Sequence, residues 1–150
     1  IVSEILMIHI SLAILSYAMF TLTFVFSILY LILYRLLKDK KFSGIWFRLP
    51  SLRQTSNWMN NSILVGVPVL FVSLILGLEW AWLTIDKVKL YDIKIVSSFV
   101  LTVIYLTLFL LHRNGKLVGV TFAWVNTYVY LAVVINFFLG NSLSKFHLWV

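Results

Sequence analysis

The chain has 150 residues, of which 62% are hydrophobic, 11% are charged and none is cysteine. Soluble domains are about half apolar and about a quarter charged, so this composition excludes that class and indicates an integral membrane protein. Without cysteine there is no disulfide framework, no thiolate metal site and no covalent haem attachment through a Cys-x-x-Cys-His motif.

The first two membrane spans are predicted on either side of a basic segment. Residues 5–34 contain no charge apart from the possible one on His9, and this run exceeds the ~20 residues that cross a bilayer. A basic and aromatic segment follows at 35–60, and we expect part of it to lie along the membrane surface. The second span is predicted at 61–78, with Pro68 in its first turns, where a missing amide costs least.

A polar loop at 80–92 separates these spans from two more. The third span is predicted at 93–111 and is stopped by a short Asn-Gly turn at 112–116. The fourth span is predicted at 117–139. Four spans with short connections predict an all-α membrane bundle, and the lack of a long linker predicts a single domain over 1–150.

The formal charge of +7 lies on one side of the predicted membrane. The segments 35–60 and 112–116 contribute +5 and +2, whereas acidic and basic residues balance elsewhere. Because short cytoplasmic loops retain the excess of Lys and Arg, these two segments are predicted to be cytoplasmic, and the 80–92 loop and the C-terminal tail external. The charge therefore favours contact with anionic lipid and not with nucleic acid.

Polar and small side chains recur at helical spacing in the spans, so we expect them to face neighbouring helices. Small residues let two helices approach closely, and asparagines can hydrogen-bond between helices. The members are His9, Ser16, Thr23 and Ser27 in the first span, Gly66, Ser73 and Gly77 in the second, Lys94, Ser98, Thr102 and Tyr105 in the third, and Asn126 and Asn136 in the fourth.

Two of the three histidines, His9 and His147, are predicted at the external ends of the first and fourth spans, while His112 lies in the cytoplasmic turn. Two external imidazoles beside an aromatic loop can serve as axial ligands of haem. Alternatively, each is a polar anchor at the membrane interface. The sequence has no Ser-His-Asp set, paired carboxylate site or zinc motif, and no acid or base at mid-depth of a span. It therefore favours neither an enzyme nor an ion-coupled transporter.

Short motifs along the chain resemble the cytochrome c assembly family, which contains CcsA and HemX. The segment HISLAILSYA, which begins at His9, is similar to the family's His-x-Ser-x4-Ser-Tyr-Ala motif. Trp80 and Ala81 fall where the family has the Trp-Ala that opens its tryptophan-rich external loop, and Asp92 lies where that loop ends in Asp-Pro-Lys. The chain is thus identified as a member of the family. Because it begins with Ile1, we interpret it as a fragment or as a chain processed at its start. The family usually carries further spans before this segment, so the resemblance implies a fragment that lacks N-terminal spans.

In members that deliver haem, the resemblance implies that the loop presents haem on the outer face and that two external histidines are its axial ligands. The residues then expected to contact non-covalently bound haem are His9, His147, Trp80 and Asp92, with the iron held by the two histidines. However, Ile85, Lys89 and Tyr91 replace tryptophans of those members, which removes ring surface that would stack on a porphyrin.

This departure resembles the HemX branch, which is implicated in restraining haem synthesis by lowering the level of glutamyl-tRNA reductase. The resemblance implies a non-enzymatic, multi-pass protein of the bacterial plasma membrane with a cytoplasmic or membrane protein as partner. Two alternatives stay open. One is a CcsA-type subunit that delivers haem for cytochrome c biogenesis, and the other is a membrane scaffold that binds no cofactor.

Overall fold

A computed structural model describes residues 2–38, 51–84 and 93–143, with side chains at 3–38, 51–83 and 95–138. Within these ranges the chain forms four helices, and each is long and apolar enough to cross a membrane. The helices are α1 (Val2–Lys38), α2 (Leu52–Thr84), α3 (Ile93–Arg113) and α4 (Gly119–Leu143). The prediction of an all-α protein with four membrane spans is confirmed.

Helix α2 extends well beyond its predicted span of 61–78. It begins at Leu52 because Ser51 caps it: the Ser51 hydroxyl oxygen accepts a hydrogen bond from the Gln54 amide at 3.1 Å. The expectation that part of 35–60 lies along the membrane surface stays a prediction, because residues 39–50 lie outside the described residues. The predicted start of the second span near residue 61 is wrong, since residues 52–60 are helical. Pro68 lies in the middle of α2 and not in its first turns, so that prediction is also wrong.

The four helices surround a common core in the order α1, α2, α3, α4, so that α1 and α3 lie at opposite corners. The rings of Phe20 on α1 and Tyr105 on α3 stack across this core, with their centroids 4.1 Å apart and their planes 4° from parallel. Phe20 also contacts Gly66 of α2, where an added Cβ would lie 2.7 Å from the ring. The predicted small-residue stripe therefore allows close approach of α1 and α2.

A tight turn joins α3 to α4. Gly115 and Gly119 have φ values of 76° and 69°, which only glycine adopts without strain. The Lys116 amide donates to the carbonyl of Leu111 at 2.9 Å and so closes the end of α3. The turn predicted from the Asn-Gly pair is confirmed.

The two ends of the helices differ in charge. We define the basic end as the one at which α1 and α3 end and α2 and α4 begin, and the far end as the opposite one. The described side chains give the basic end five cations, Arg35, Lys38, Arg53, Arg113 and Lys116, and the far end two acids, Glu4 and Glu79. The side of the membrane on which each end lies stays a prediction.

Candidate functional site

His9 lies on α1 near the far end, and its imidazole is fixed against α2. The Nδ1–H group donates to the backbone carbonyl of Ser73 at 2.7 Å and lies 3.1 Å from the Ser73 hydroxyl oxygen. In return the Ser73 hydroxyl donates to the carbonyl of His9 at 2.8 Å. A carbonyl can only accept, so the proton of a neutral His9 ring is on Nδ1 and the lone pair is on Nε2.

The ring of His9 is closed in by Gly77, one helical turn from Ser73. A Cβ at position 77 would lie 2.7 Å from Cε1 and 3.1 Å from Nε2 of His9. Only 6% of His9 is exposed. His9 thus faces α2, as its place in the inward stripe predicts, because the absence of a side chain at Gly77 lets the backbone of α2 cover the imidazole.

Trp80 belongs to the last turns of α2 and not to a loop, which corrects its predicted position. Its side chain is 7% exposed and packs in a far-end cluster with Ala81 of α2 and Ile95 of α3. Leu6 of α1 and Phe99 of α3 border the same cluster. Trp80 therefore joins three helices at the far end, and its ring faces are covered by protein.

Of the four residues expected to contact haem, His9 and Trp80 lie in the described structure, whereas Asp92 and His147 lie outside the described residues. The His9 Nδ1–H bond to a backbone carbonyl is the bond that metal-ligating histidines commonly make. The closed packing against Gly77 and the covered face of Trp80 nevertheless leave no room for a porphyrin beside these two residues. As packed here, the described residues do not fit haem.

A second histidine site lies at the basic end. His112 donates from Nδ1–H to the carbonyl of Leu117 at 3.0 Å, and its Nε2 accepts from the Ser56 hydroxyl at 3.2 Å. Its ring stacks on Phe122, with centroids 4.1 Å apart. This set ties the α3–α4 turn to the first turns of α2.

Hydroxyl and amide groups join the helices between these two sites. Asn126 of α4 donates to the Thr23 hydroxyl at 2.8 Å, and the Thr23 hydroxyl donates to the carbonyl of Met59 at 2.9 Å. The expected bond between helices is thus confirmed for Asn126. For Asn136 the amide nitrogen is buried without a hydrogen-bond partner among the described residues, so the same expectation is not met by that group.

The predicted stripes face inward where their side chains are described. The buried members are His9, Ser16, Thr23 and Ser27 on α1, Gly66, Ser73 and Gly77 on α2, and Ser98, Thr102 and Tyr105 on α3. The pairs His9–Ser73 and His112–Ser56 were not predicted from the sequence. The signal for the first pair was available, because both residues belong to predicted inward stripes of adjacent antiparallel helices.

A groove of about 320 Å³ opens between α1 and α4 in their far-end halves. Its polar part is a hydrogen bond of 2.9 Å between the hydroxyls of Thr21 and Tyr130, and Val133 and Phe137 contribute apolar walls. The groove is separate from the His9 site, since His9 does not line it.

Comparison with known proteins identifies the family. The family model described as cytochrome C assembly protein matches residues 1–148. The chain belongs to the cytochrome c assembly protein family. Protein HemX of Bacillus subtilis (strain 168) is 41% identical over 146 residues, which is 97% of this chain and 53% of the relative. Protein HemX of Brevibacillus brevis is 35% identical over 148 residues, 98% of this chain and 54% of the relative.

The chain thus spans about half the length of the curated HemX proteins that it matches. No solved structure matches it significantly. The family and the HemX resemblance inferred from the motifs are confirmed. The family match and the four helices that are long and apolar enough to cross a membrane together indicate a multi-pass membrane protein.

Proposed function

We propose that the chain is part of a HemX-type membrane protein that restrains haem synthesis by lowering the level of glutamyl-tRNA reductase. It acts without catalysing a reaction and without delivering haem to cytochromes. The proposal is supported by the similarity to two HemX proteins along nearly the whole chain.

The burial of Trp80 favours restraint of haem synthesis over delivery of haem to cytochromes. The resemblance implies that haem-delivering members use tryptophans of an external loop to present haem. Here Trp80 is packed between helices with Ala81 and Ile95, so its ring stabilises the bundle. The replacement of other loop tryptophans by Ile85, Lys89 and Tyr91 supports the same choice.

Restraint of a cytoplasmic enzyme requires a cytoplasmic surface. We assign this role to the basic end, because cytoplasmic segments of membrane proteins carry the excess of Lys and Arg. Helix α1 continues for eight residues past Tyr30, which lies beside the start of α4, and this extension is about 12 Å long. Arg35 and Lys38 on the extension are available to a cytoplasmic or membrane partner protein.

A gene deletion tests this function. We expect the deletion strain to contain more glutamyl-tRNA reductase and more haem precursors, with c-type cytochromes at their normal level. Expression of the full-length protein should reverse both increases. Loss of all c-type cytochromes would instead support haem delivery, and a strain with neither change would support a scaffold.

Haem binding at the far end is a second candidate, and it requires α1 and α2 to separate at Gly77. Its support is the bond between His9 Nδ1–H and the Ser73 carbonyl, which ligating histidines commonly make. The test is the visible spectrum of protein purified from haem-replete cells. Haem ligation predicts a bis-histidine Soret band that changes in His9→Ala and His147→Ala, while His112→Ala serves as the matched control. From the closed packing we expect a colourless protein.

A further inference from the structure

Three cations lie within four residues, along the chain, of Ser56 or His112, which are hydrogen-bonded to each other at the basic end. Arg113 follows His112 directly, Lys116 lies in the turn held by His112 Nδ1, and Arg53 lies three residues before Ser56 on the same side of α2. All three cations are exposed. We call this group the α2–α3–α4 corner. The described part of the chain places no acidic side chain at this end.

The depth of this corner corresponds to the lipid headgroups. Tyr105 stacks on Phe20 near the middle of α1, and Arg113 follows Tyr105 by eight residues. At about 1.5 Å per residue its Cα lies about 12 Å from that level, near the ~15 Å half-thickness of the hydrocarbon core. Counted from Gly66, which lies beside Phe20, Arg53 is about 20 Å from that level, within the headgroup region that ends about 20–22 Å from the bilayer centre. Arg35 and Lys38 lie about 22 and 27 Å away, at and beyond the outer limit of that region.

Apolar side chains beside the cations mark the same boundary. Leu110 is 47% exposed and Val118 is 53% exposed, and they lie within three residues of Arg113 and Lys116. Exposed apolar groups directly next to cations are suited to a molecule that has an anionic head and a hydrocarbon chain. At the edge of the hydrocarbon core Leu110 and Val118 meet acyl chains, which a nucleic acid or a soluble acidic protein does not supply.

We propose that the α2–α3–α4 corner binds the headgroup of an anionic phospholipid. The guanidinium groups of Arg53 and Arg113 are suited to bidentate hydrogen bonds with a phosphate, and the Lys116 ammonium adds a further positive charge. The acyl chains of the lipid lie along Leu110 and Val118. His112 holds the turn and α2 together and so keeps the three cations at one corner. This inference does not depend on the proposed role in haem synthesis.

The test compares two double variants of the purified, delipidated protein by native mass spectrometry. Phosphatidylglycerol, phosphatidylcholine and inorganic phosphate are titrated separately. R113Q/K116Q removes two charges from the corner, and R35Q/K38Q removes two charges from the same end of the protein at a greater distance from the bilayer. A third variant, R53Q, removes one charge from α2. Circular dichroism and the unfolding midpoint establish that each variant is folded.

We expect R113Q/K116Q to bind phosphatidylglycerol roughly 30-fold more weakly than the parent and R53Q about fivefold more weakly, from about 1 kcal/mol per cation near a membrane surface. R35Q/K38Q should stay within about twofold of the parent, since its cations lie at and beyond the outer limit of the headgroup layer. Phosphatidylcholine binding should be equal in all variants. An equal loss in both double variants would overturn the proposal in favour of diffuse attraction, as would unchanged binding by R113Q/K116Q. Saturation of the corner by inorganic phosphate with no preference for phosphatidylglycerol would also overturn it.

Discussion

The two described histidines make similar hydrogen bonds in very different surroundings. His9 and His112 each donate from Nδ1–H to a backbone carbonyl and each contact a serine of α2. His9 is enclosed by the backbone of α2 at Gly77, whereas His112 is only partly buried and stacks on one face against Phe122.

The difference shows that packing, and not the set of hydrogen bonds, decides how a histidine can be used. The His9 ring has its carbon and nitrogen atoms against a neighbouring helix, so movement of the ring requires α1 and α2 to separate. His112 lies at the end of the helices beside a turn and exposed cations, so its contacts can change without separation of the core helices. The far end is therefore closely packed, and the basic end is a surface that ligands can reach.

The largest effect is expected from Gly77→Ala, which should lower the free energy of unfolding by about 2–3 kcal/mol because the new methyl group overlaps the His9 ring. Denaturant titration in mixed micelles measures this. The control is Val72→Ile, which adds a methyl group on the exposed side of the same helix. If the ring is the obstacle, Gly77→Ala costs less than about 1 kcal/mol in a His9→Ala background. Equal costs in both backgrounds would contradict the close contact.

Replacing each histidine by phenylalanine compares the two sites directly. His9→Phe should cost about 1.5 kcal/mol, because it removes a buried donor from α1–α2, and His112→Phe about 0.5 kcal/mol, because water can replace its partners. The free energy of unfolding in mixed micelles is again the measurement. A larger loss in the free energy of unfolding for His112→Phe than for His9→Phe would contradict the distinction between a closely packed far end and an accessible basic end.

The serine partners provide a smaller comparison. Ser73→Ala should cost about 1 kcal/mol, less than His9→Phe, since the Ser73 carbonyl still accepts from Nδ1–H. Ser56→Ala should cost about 0.5 kcal/mol, since its bond to His112 is 3.2 Å long and only partly buried. Thermal unfolding in detergent measures both. If Ser73→Ala cost as much as His9→Phe, the hydroxyl and not the carbonyl would be the main partner of His9.

The smallest effect is expected midway between the sites, from Tyr105→Phe. The Tyr105 hydroxyl is buried without a hydrogen-bond partner among the described residues, so its removal should change stability by no more than about 0.5 kcal/mol. The control is Thr23→Val, which removes a hydroxyl bonded to both Asn126 and Met59 and should cost about 1 kcal/mol. A loss above about 1 kcal/mol for Tyr105→Phe would reveal a partner outside the described residues.

The sequence predicted the spans better than their ends. Hydropathy located the four spans because crossing a bilayer needs a long apolar run. It missed the first turns of α2 and the helical position of Trp80, because polar residues continue a helix once a cap and neighbouring helices support it. Trp80 was assigned to a loop from its polar neighbours, yet it is buried in a cluster with Ile95 of α3, against which Leu6 of α1 packs.

The candidate site was predicted only in part for a related reason. The inward stripe that contains His9 was correct because helical spacing is local, and the family motifs added the expected role of Trp80 and Asp92. The direction of the His9 ring could not be predicted, because it depends on which residue of α2 lies opposite. A shift of α2 by one turn would place a different residue of α2 beside the imidazole.

By itself, then, the sequence determined that this protein is a multi-pass helical membrane protein of the cytochrome c assembly family with its positive charge at one end. Those properties follow from composition, apolar length and short motifs, which each act within one segment. Only the tertiary structure decided that Gly77 closes over His9, that Trp80 joins three helices, and that His112 joins the α3–α4 turn to Ser56 of α2. Such contacts depend on the register between helices far apart in the chain, and side-chain volumes set that register.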